Sequence, residues 1–135
     1  MIKVKLFKQS KGYCGPASLK MALSNYGINK SENDLAKLTK TNRITGCKEE
    51  NIIKIAKRFG FKAYLKQKST IKELKSLADN NIPTIVAWTS PEEEGHYSVV
   101  VGFNKENIFL ADPHFGKIKK YEIRWFKDRW HERSK

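Results

Sequence analysis

Residues 9–19 read QSKGYCGPASL and place a cysteine between a glycine-bearing loop and a helix. Pro16 suits the first turn of a helix, where its missing N–H costs nothing, and apolar residues at helical spacing continue to Tyr26. Gly27 then ends the predicted helix. Cys14 therefore lies at the amino end of this helix, where unpaired backbone N–H groups and the helix dipole favour the nucleophilic thiolate.

Working outward, the first half of the chain predicts three more helices. Capping-box patterns at Ser31 and Thr70 open the second and the fourth, and residues 49–59 form the third, with acidic residues in its first turn. The residues expected to face the core are Leu35, Leu38, Ile52, Ile53, Ala56, Phe59, Ile71, Leu74, Leu77 and Ala78. Alternating patterns also predict short strands at residues 3–7 and 61–65.

The second half of the chain is rich in β-forming residues. Four runs separated by turn residues predict strands at residues 82–88, 97–103, 108–111 and 117–121, and residues 123–130 predict a last short helix. Helices that precede an antiparallel sheet indicate an α+β fold rather than alternating βαβ units. The length of 135 residues and the lack of a linker or repeat predict a single domain over residues 1–135.

Two further reactive side chains fall at strand ends of this sheet. His96 begins one strand, Asp112 ends the next, and residues 104–107 form the turn between them. Because a hairpin returns the end of its second strand to the start of its first, both side chains belong at one end of the sheet. With Cys14, they supply a nucleophile, a base and an acid that orients the base.

Each of these residues also has a simpler interpretation. A lone cysteine is often just buried, a histidine at a strand edge is often structural, and Asp112-Pro113 is first of all a turn. We expect Cys47 to be buried filler, since no histidine accompanies it in its block, and His114, the rival base, to face solvent. The three glutamates at residues 92–94 form either a solvated loop or a source of charge that raises the pKa of His96.

Composition narrows the class of function. Lys and Arg number 27 against 14 Asp and Glu, and residues 1–75 hold 18 of the basic and five of the acidic residues. The lysines are scattered, and no nucleic-acid-binding motif accompanies them, so we expect no specific nucleic-acid partner. Two cysteines and three histidines match no zinc motif, so we expect neither a metal nor another cofactor.

No apolar run reaches the 18 or more residues of a membrane span, and the first residues lack the apolar core of a secretory signal. We therefore expect a cytoplasmic protein with no membrane insertion by this chain.

Three blocks of the sequence together resemble a known family. Residues 9–19, the run GHYSVVV at 95–101 and ADPHFG at 111–116 are similar to the signature blocks of the bacteriocin-processing, double-glycine leader peptidases, a papain-like group. The resemblance implies a papain-like fold with Cys14 as nucleophile, His96 as base and Asp112 as its orienting partner. It also implies an oxyanion hole formed by the Gln9 side chain and the Cys14 backbone N–H. Gln9 lies five positions before Cys14, whereas the family's glutamine lies six positions before its cysteine.

The same resemblance implies a function. The chain would be a cysteine endopeptidase that hydrolyses a peptide bond after a Gly-Gly-type leader through a thioester acyl-enzyme. Its partners would be the leader peptide and the membrane exporter of the processed peptide, an ATP-binding cassette transporter, at the cytoplasmic face of the membrane. A catalytically silent domain that only binds the leader peptide, or an acyl transferase with the same triad, stays open as an alternative.

Overall fold

The computed structural model describes residues 1–63 and 65–131. Four helices precede a four-stranded sheet, and a fifth helix follows it. The bounds are α1 Cys14–Ser24, α2 Glu32–Leu38, α3 Glu49–Arg58, α4 Ile71–Asp79, β1 Thr84–Trp88, β2 His96–Phe103, β3 Asn107–Asp112, β4 Lys117–Glu122 and α5 Ile123–His131. The predicted α+β order is confirmed, and so are the four strands, to within two residues at each end.

The sheet is an antiparallel meander in the order β1-β2-β3-β4. Trp88 of β1 pairs with His96 of β2, and Val99 of β2 pairs with Ala111 of β3. A bulge between Val100 and Gly102 interrupts the second pairing. The start of β2 therefore lies at the same end of the sheet as the ends of β1 and β3.

Helices cover both faces of the sheet, since successive side chains of a strand point to opposite faces. The cluster that includes Phe126 of α5 is Leu74, Val86, Trp88, Val100, Ile108, Leu110 and Phe126. The cluster that includes Met21 and Ala22 of α1 is Ile2, Met21, Ala22, Val99, Val101 and Ala111. Burial of these two sets holds α1 and α5 against opposite sides of the strands that carry His96 and Asp112.

A third cluster joins the helices of the first half. Its buried members are Leu19, Leu23, Leu35, Ile52 and Ile55. The side chains of Ser31 and Thr70 cap α2 and α4, as the sequence predicts. These helices bury fewer of their apolar residues than predicted. In α3 the buried residues are Ile52 and Ile55, which lie three residues apart on one face of the helix. In α2, Leu38 is exposed.

Two predicted strands do not form. At residues 3–7, two backbone groups that could pair with a neighbouring strand instead bind side chains at the carboxyl end of α1. The Asn25 side chain donates to the Lys3 carbonyl, and the Lys5 N–H donates to Ser24 Oγ. Residues 61–63 and 65 also form no strand, and Tyr64 lies outside the described residues. There Phe61 N–H donates to a carbonyl at the end of α3.

The described helices are short, at most 11 residues. Within residues 1–63 and 65–131, none is long and apolar enough to cross a membrane.

Candidate active site

Cys14 is the first residue of α1 and is buried, with 7% of its surface exposed. The preceding residue, Tyr13, makes no side-chain hydrogen bond to the helix end, and the first turn holds no acidic residue. The backbone N–H groups at this end thus have no capping side chain to satisfy them. The Cys14 sulfur lies 3.9 Å from the carbonyl oxygen of Gly95, just before β2, the distance of a weak thiol hydrogen bond. Cys14 therefore faces the start of the strand that carries His96.

Gly15 allows α1 to begin so close to its neighbours. A Cβ atom at residue 15 would lie 2.6 Å from the Cys47 Cβ, which no real side chain tolerates. The Cys47 carbonyl in turn accepts a hydrogen bond of 2.8 Å from the Tyr97 hydroxyl of β2. The missing side chain at Gly15 thus lets α1, the segment at Cys47 and β2 pack together around Cys14.

His96 and Asp112 form a buried pair. Neither side chain is exposed to solvent, and 2.6 Å separates His96 Nε2 from Asp112 Oδ1. The pairing of Val99 with Ala111 places Asp112 diagonally across from His96 on neighbouring strands, within reach of long side chains. The same carboxylate oxygen accepts the backbone N–H of His114 at 3.0 Å. The predicted hairpin therefore brings this histidine and this aspartate together.

Glu93 binds the other ring nitrogen of His96. Its Oε1 lies 2.6 Å from Nδ1, and its side chain is 35% exposed. A tight turn sets this position: Ser90 N–H donates to the Glu93 carbonyl at 2.9 Å, and Glu93 N–H donates to Ser90 Oγ at 3.0 Å. Of the three glutamates considered from the sequence, Glu93 is the one that contacts His96, and the serine three residues before it is the signal for this turn.

The neighbours of His96 determine its protonation. A carboxylate lies at each ring nitrogen, and because an ionised carboxylate only accepts hydrogen bonds, this arrangement favours a ring that donates through both nitrogens, the imidazolium. Burial alone lowers the pKa of His96, but the hydrogen bonds and charges of Asp112 and Cys14 outweigh it and raise the pKa from 6.5 to about 10. His96 therefore carries a positive charge at neutral pH.

Cys14 completes the cluster. Its Sγ, a Glu93 carboxylate oxygen and a His96 ring nitrogen lie within 4.8 Å of one another. Asp112 occupies Nε2 and so leaves Nδ1, which already meets Glu93, as the ring nitrogen available to Cys14. A thiol, a buried imidazolium and a buried carboxylate follow one another in space, as nucleophilic catalysis by cysteine requires.

The loop that carries Gln9 is held at both sides. The carboxylate of the buried Glu32 accepts the Ser10 backbone N–H at 2.7 Å and the Ser10 hydroxyl at 2.6 Å. Gln9 N–H donates to the Pro113 carbonyl at 2.8 Å, which attaches the loop to the turn after Asp112. The Gln9 amide donates to the Ser10 carbonyl at 3.2 Å, and this leaves one of its two amide hydrogens for another acceptor.

His114 and Cys47, the alternative base and the alternative thiol, are not buried to the extent that the sequence predicts. His114 is half-buried rather than solvent-facing, and its ring centroid lies 6.4 Å from that of His96. Cys47 is also half-buried, and burial raises the pKa of its thiol, which disfavours the thiolate. The buried carboxylate pairs with the His96 ring, whereas it meets His114 through the backbone.

Comparison with known proteins identifies close relatives of this chain. The sequence model of the Peptidase_C39 like family matches residues 1–135. An uncharacterized protein of Methanothermobacter marburgensis is 35% identical over 84% of this chain and 75% of its own length. The transport/processing ATP-binding protein ComA of Streptococcus pneumoniae is 31% identical over 87% of this chain, which corresponds to 16% of the transporter.

Solved structures share the fold over nearly the whole chain. The peptidase domain of Streptococcus ComA, a bi-functional ABC transporter involved in quorum sensing, superposes with a TM-score of 0.80 at 29% identity, covering 95% of this chain and 93% of that domain. A double glycine motif protease from an AMS/PCAT transporter, in complex with a leader peptide, superposes with a TM-score of 0.79 at 24% identity and covers 96% and 86% of the two chains. At 24% identity, the similarity to this second structure shows a shared fold only.

The protonation of His96 gives a testable prediction. By NMR of the histidine rings, assigned through the signal lost in His96→Gln, we expect His96 to titrate near pH 10. Asp112→Asn removes the partner carboxylate and should lower this pKa, whereas Glu94→Gln, at an exposed neighbour, should leave it unchanged. A wild-type His96 that titrates near 6.5 would contradict the arrangement.

The same shift has a consequence for stability. Because the folded-state pKa is raised, the stabilisation is fully present below pH 6.5 and is lost as the pH rises through about 10. The free energy of unfolding in urea should therefore fall between these pH values, and fall less steeply in Asp112→Asn.

Proposed function

Because the chain belongs to the Peptidase_C39 like family, we propose that it is a cysteine endopeptidase that cuts a leader peptide after a Gly-Gly-type sequence. Cys14 is the nucleophile, His96 the acid and base, and Asp112 the residue that orients His96. The observation that carries the proposal is the buried His96–Asp112 pair beside a cysteine at the amino end of a helix.

The first step forms the tetrahedral intermediate that leads to the thioester. The Cys14 thiolate attacks the carbonyl carbon of the scissile peptide bond, the S–C bond forms, and the carbonyl π electrons move to the oxygen. The oxyanion accepts hydrogen bonds from the Cys14 backbone N–H and from the Gln9 amide. The uncapped end of α1 and the free Gln9 amide hydrogen support these two roles.

The amine product then leaves. His96 gives its Nδ1 proton to the amine nitrogen as the C–N bond breaks, and the acyl group stays on the Cys14 sulfur. Asp112 keeps its hydrogen bond to Nε2 and so holds the ring in the same orientation throughout. Glu93 has to release Nδ1 during this step, and its partly exposed side chain has solvent to turn into.

Hydrolysis returns the site to its starting state. Neutral His96 accepts a proton from water through Nδ1 while the water oxygen bonds to the thioester carbon. The C–S bond then breaks and Cys14 leaves as the thiolate beside the imidazolium of His96. The peptide is released as a carboxylic acid, which gives its proton to solvent. The strong stabilisation of the charged ring by its neighbours favours this resting ion pair.

An apolar groove supports a peptide substrate. It has a volume of about 610 Å³ and lies between α1, α3, α4 and β1. Its lining includes Leu19, Ile52, Phe61, Leu77, Ile85 and Tyr97. Tyr97, which lines the groove, also lies beside Gly15, the residue that follows Cys14, so the groove leads toward the candidate site. We propose that apolar side chains of the leader peptide bind here, with the scissile bond at Cys14.

The proposed partner is the exporter of the processed peptide. ComA, a relative of this chain, is a transport/processing protein, and its peptidase domain has the same fold. We therefore place the peptidase at the cytoplasmic face of a membrane beside such a transporter. One domain spanning residues 1–135 would suffice for the cleavage step.

Replacement of the nucleophile is the first test of this function. In a panel of leader peptides that end in Gly-Gly or Gly-Ala before an extension, we expect mass spectrometry to find one cut after the second small residue. Cys14→Ala should lower kcat/KM by at least about 10³-fold, as loss of a nucleophile does. Its circular dichroism should remain that of the wild type.

Cys47→Ala is the matched control and should cleave at about the wild-type rate. Cleavage by Cys14→Ala would refute the proposal. A product that carries an added amine rather than a carboxylate would show an acyl transferase instead.

Replacement of Gln9 tests the oxyanion hole. Gln9→Ala should lower kcat about 10²- to 10³-fold with little change in KM, because the donor acts on charge that develops in the transition state. Lys11→Ala, at an exposed residue of the same loop, is the control. An unchanged kcat in Gln9→Ala would remove Gln9 from the mechanism and leave backbone N–H groups as the donors.

A further inference from the structure

The contact between Glu93 and His96 creates a set of metal ligands that the peptidase mechanism does not use. The sulfur of Cys14, a ring nitrogen of His96 and a carboxylate oxygen of Glu93 lie within 4.8 Å of one another. This is the only such group of three or more among residues 1–63 and 65–131. Cys14 lies in the helical half of the fold, Glu93 in a turn and His96 in the sheet, so the fold brings them together.

We propose that Cys14, Glu93 and His96 form a binding site for a single Zn²⁺ ion, whose occupancy blocks the peptidase. Zinc is the metal that this ligand set fits best, because borderline-soft Zn²⁺ takes thiolate, imidazole and carboxylate together, whereas Mg²⁺ and Ca²⁺ prefer oxygen ligands. One thiolate and one carboxylate also balance the charge of the ion.

Asp112 supplies the outer support that such a site needs. A zinc-bound histidine usually donates its other ring N–H to a carboxylate, which fixes the ring and makes the ligating nitrogen more basic. His96 Nε2 already makes this contact with Asp112 Oδ1, at 2.6 Å and fully buried. Nδ1 is therefore held in place toward Glu93 and Cys14 before any ion arrives. As the ion binds, the Nδ1 proton and any proton on the Cys14 sulfur leave to solvent.

Small movements convert the cluster into a coordination site. Tetrahedral zinc at its usual bond lengths sets ligand atoms about 3.3–3.8 Å apart. The Glu93 oxygen, now 2.6 Å from Nδ1, has to withdraw by less than about 1 Å to reach this separation. The Cys14 sulfur, within 4.8 Å of the other two atoms, has to approach them by at most about 1.5 Å. The Glu93 side chain is 35% exposed, so it has room to move, and it gives the ion a route from solvent. Solvent water supplies the fourth ligand.

The consequence for activity rests on the proposed function. Zinc on the Cys14 sulfur removes the nucleophile, and zinc on Nδ1 removes the acid and base. The ion and the scissile peptide bond thus compete for the same two atoms. The binding of zinc, in contrast, requires no peptidase activity and is measured separately.

The binding experiment uses the reduced, chelator-treated 135-residue chain. Calorimetry with Zn²⁺ alone should show one ion per chain, and Co²⁺ should give the charge-transfer band of thiolate coordination. Glu93→Gln should weaken zinc binding at least tenfold, and Cys14→Ala should abolish the cobalt–thiolate band. Glu94→Gln and Cys47→Ala, the matched neighbouring glutamate and the second thiol, should leave both signals unchanged.

Three results would overturn the site: no stoichiometric binding by the wild type, loss of binding in Cys47→Ala, or binding that Glu93→Gln leaves unchanged.

In an active preparation, Zn²⁺ should stop peptide cleavage and a chelator should restore it. Half-inhibition of Glu93→Gln, relative to its own rate, should need at least tenfold more zinc. Zinc binding by a chain that cleaves no peptide would refute the proposed function alone, and cleavage without zinc binding would refute this site alone.

Discussion

A buried hydrogen bond between two charged side chains, His96 and Asp112, is the contact on which the rest of the site depends. Each charge alone would be costly to bury, and removal of one partner of such a pair typically costs about 3–5 kcal/mol because the other is left uncompensated. The bond joins the start of β2 to the end of β3 and keeps the ring charged. The sheet thereby holds a positively charged ring whose Nδ1 faces Glu93 and Cys14.

The groups that meet this end of the sheet come from the first half of the chain. The Cys14 thiol reaches the Gly95 carbonyl, and the Gln9 backbone reaches Pro113, so the loop and helix of the first half meet the sheet at both strand ends. Glu93 adds a carboxylate on the same side of the ring as Cys14. The position is thus shared between a carboxylate and a thiol, and this sharing underlies both the need for Glu93 to move in catalysis and the proposed zinc site.

Much of this arrangement could be predicted from the sequence, because strand alternation and hairpin direction alone set His96 and Asp112 at one end of the sheet. The choice of Glu93 among three adjacent glutamates was harder to predict, since its one sequence signal is Ser90, three residues earlier, whose hydroxyl closes the turn. The absence of a strand at residues 3–7 could not be predicted from the sequence. Their alternating pattern is typical of an edge strand, but side chains at the end of α1 take the backbone groups.

The most direct test of the central claim, that the charged His96 makes Cys14 a nucleophile, is capture of the acyl-enzyme. The reaction with a Gly-Gly leader peptide is quenched in acid within one turnover, and the modified chain is digested and sequenced by mass spectrometry. We expect the acyl group of the leader to be attached as a thioester to the fragment that contains Cys14. An acyl group on Cys47, or cleavage with no covalent intermediate under conditions that preserve thioesters, would contradict it.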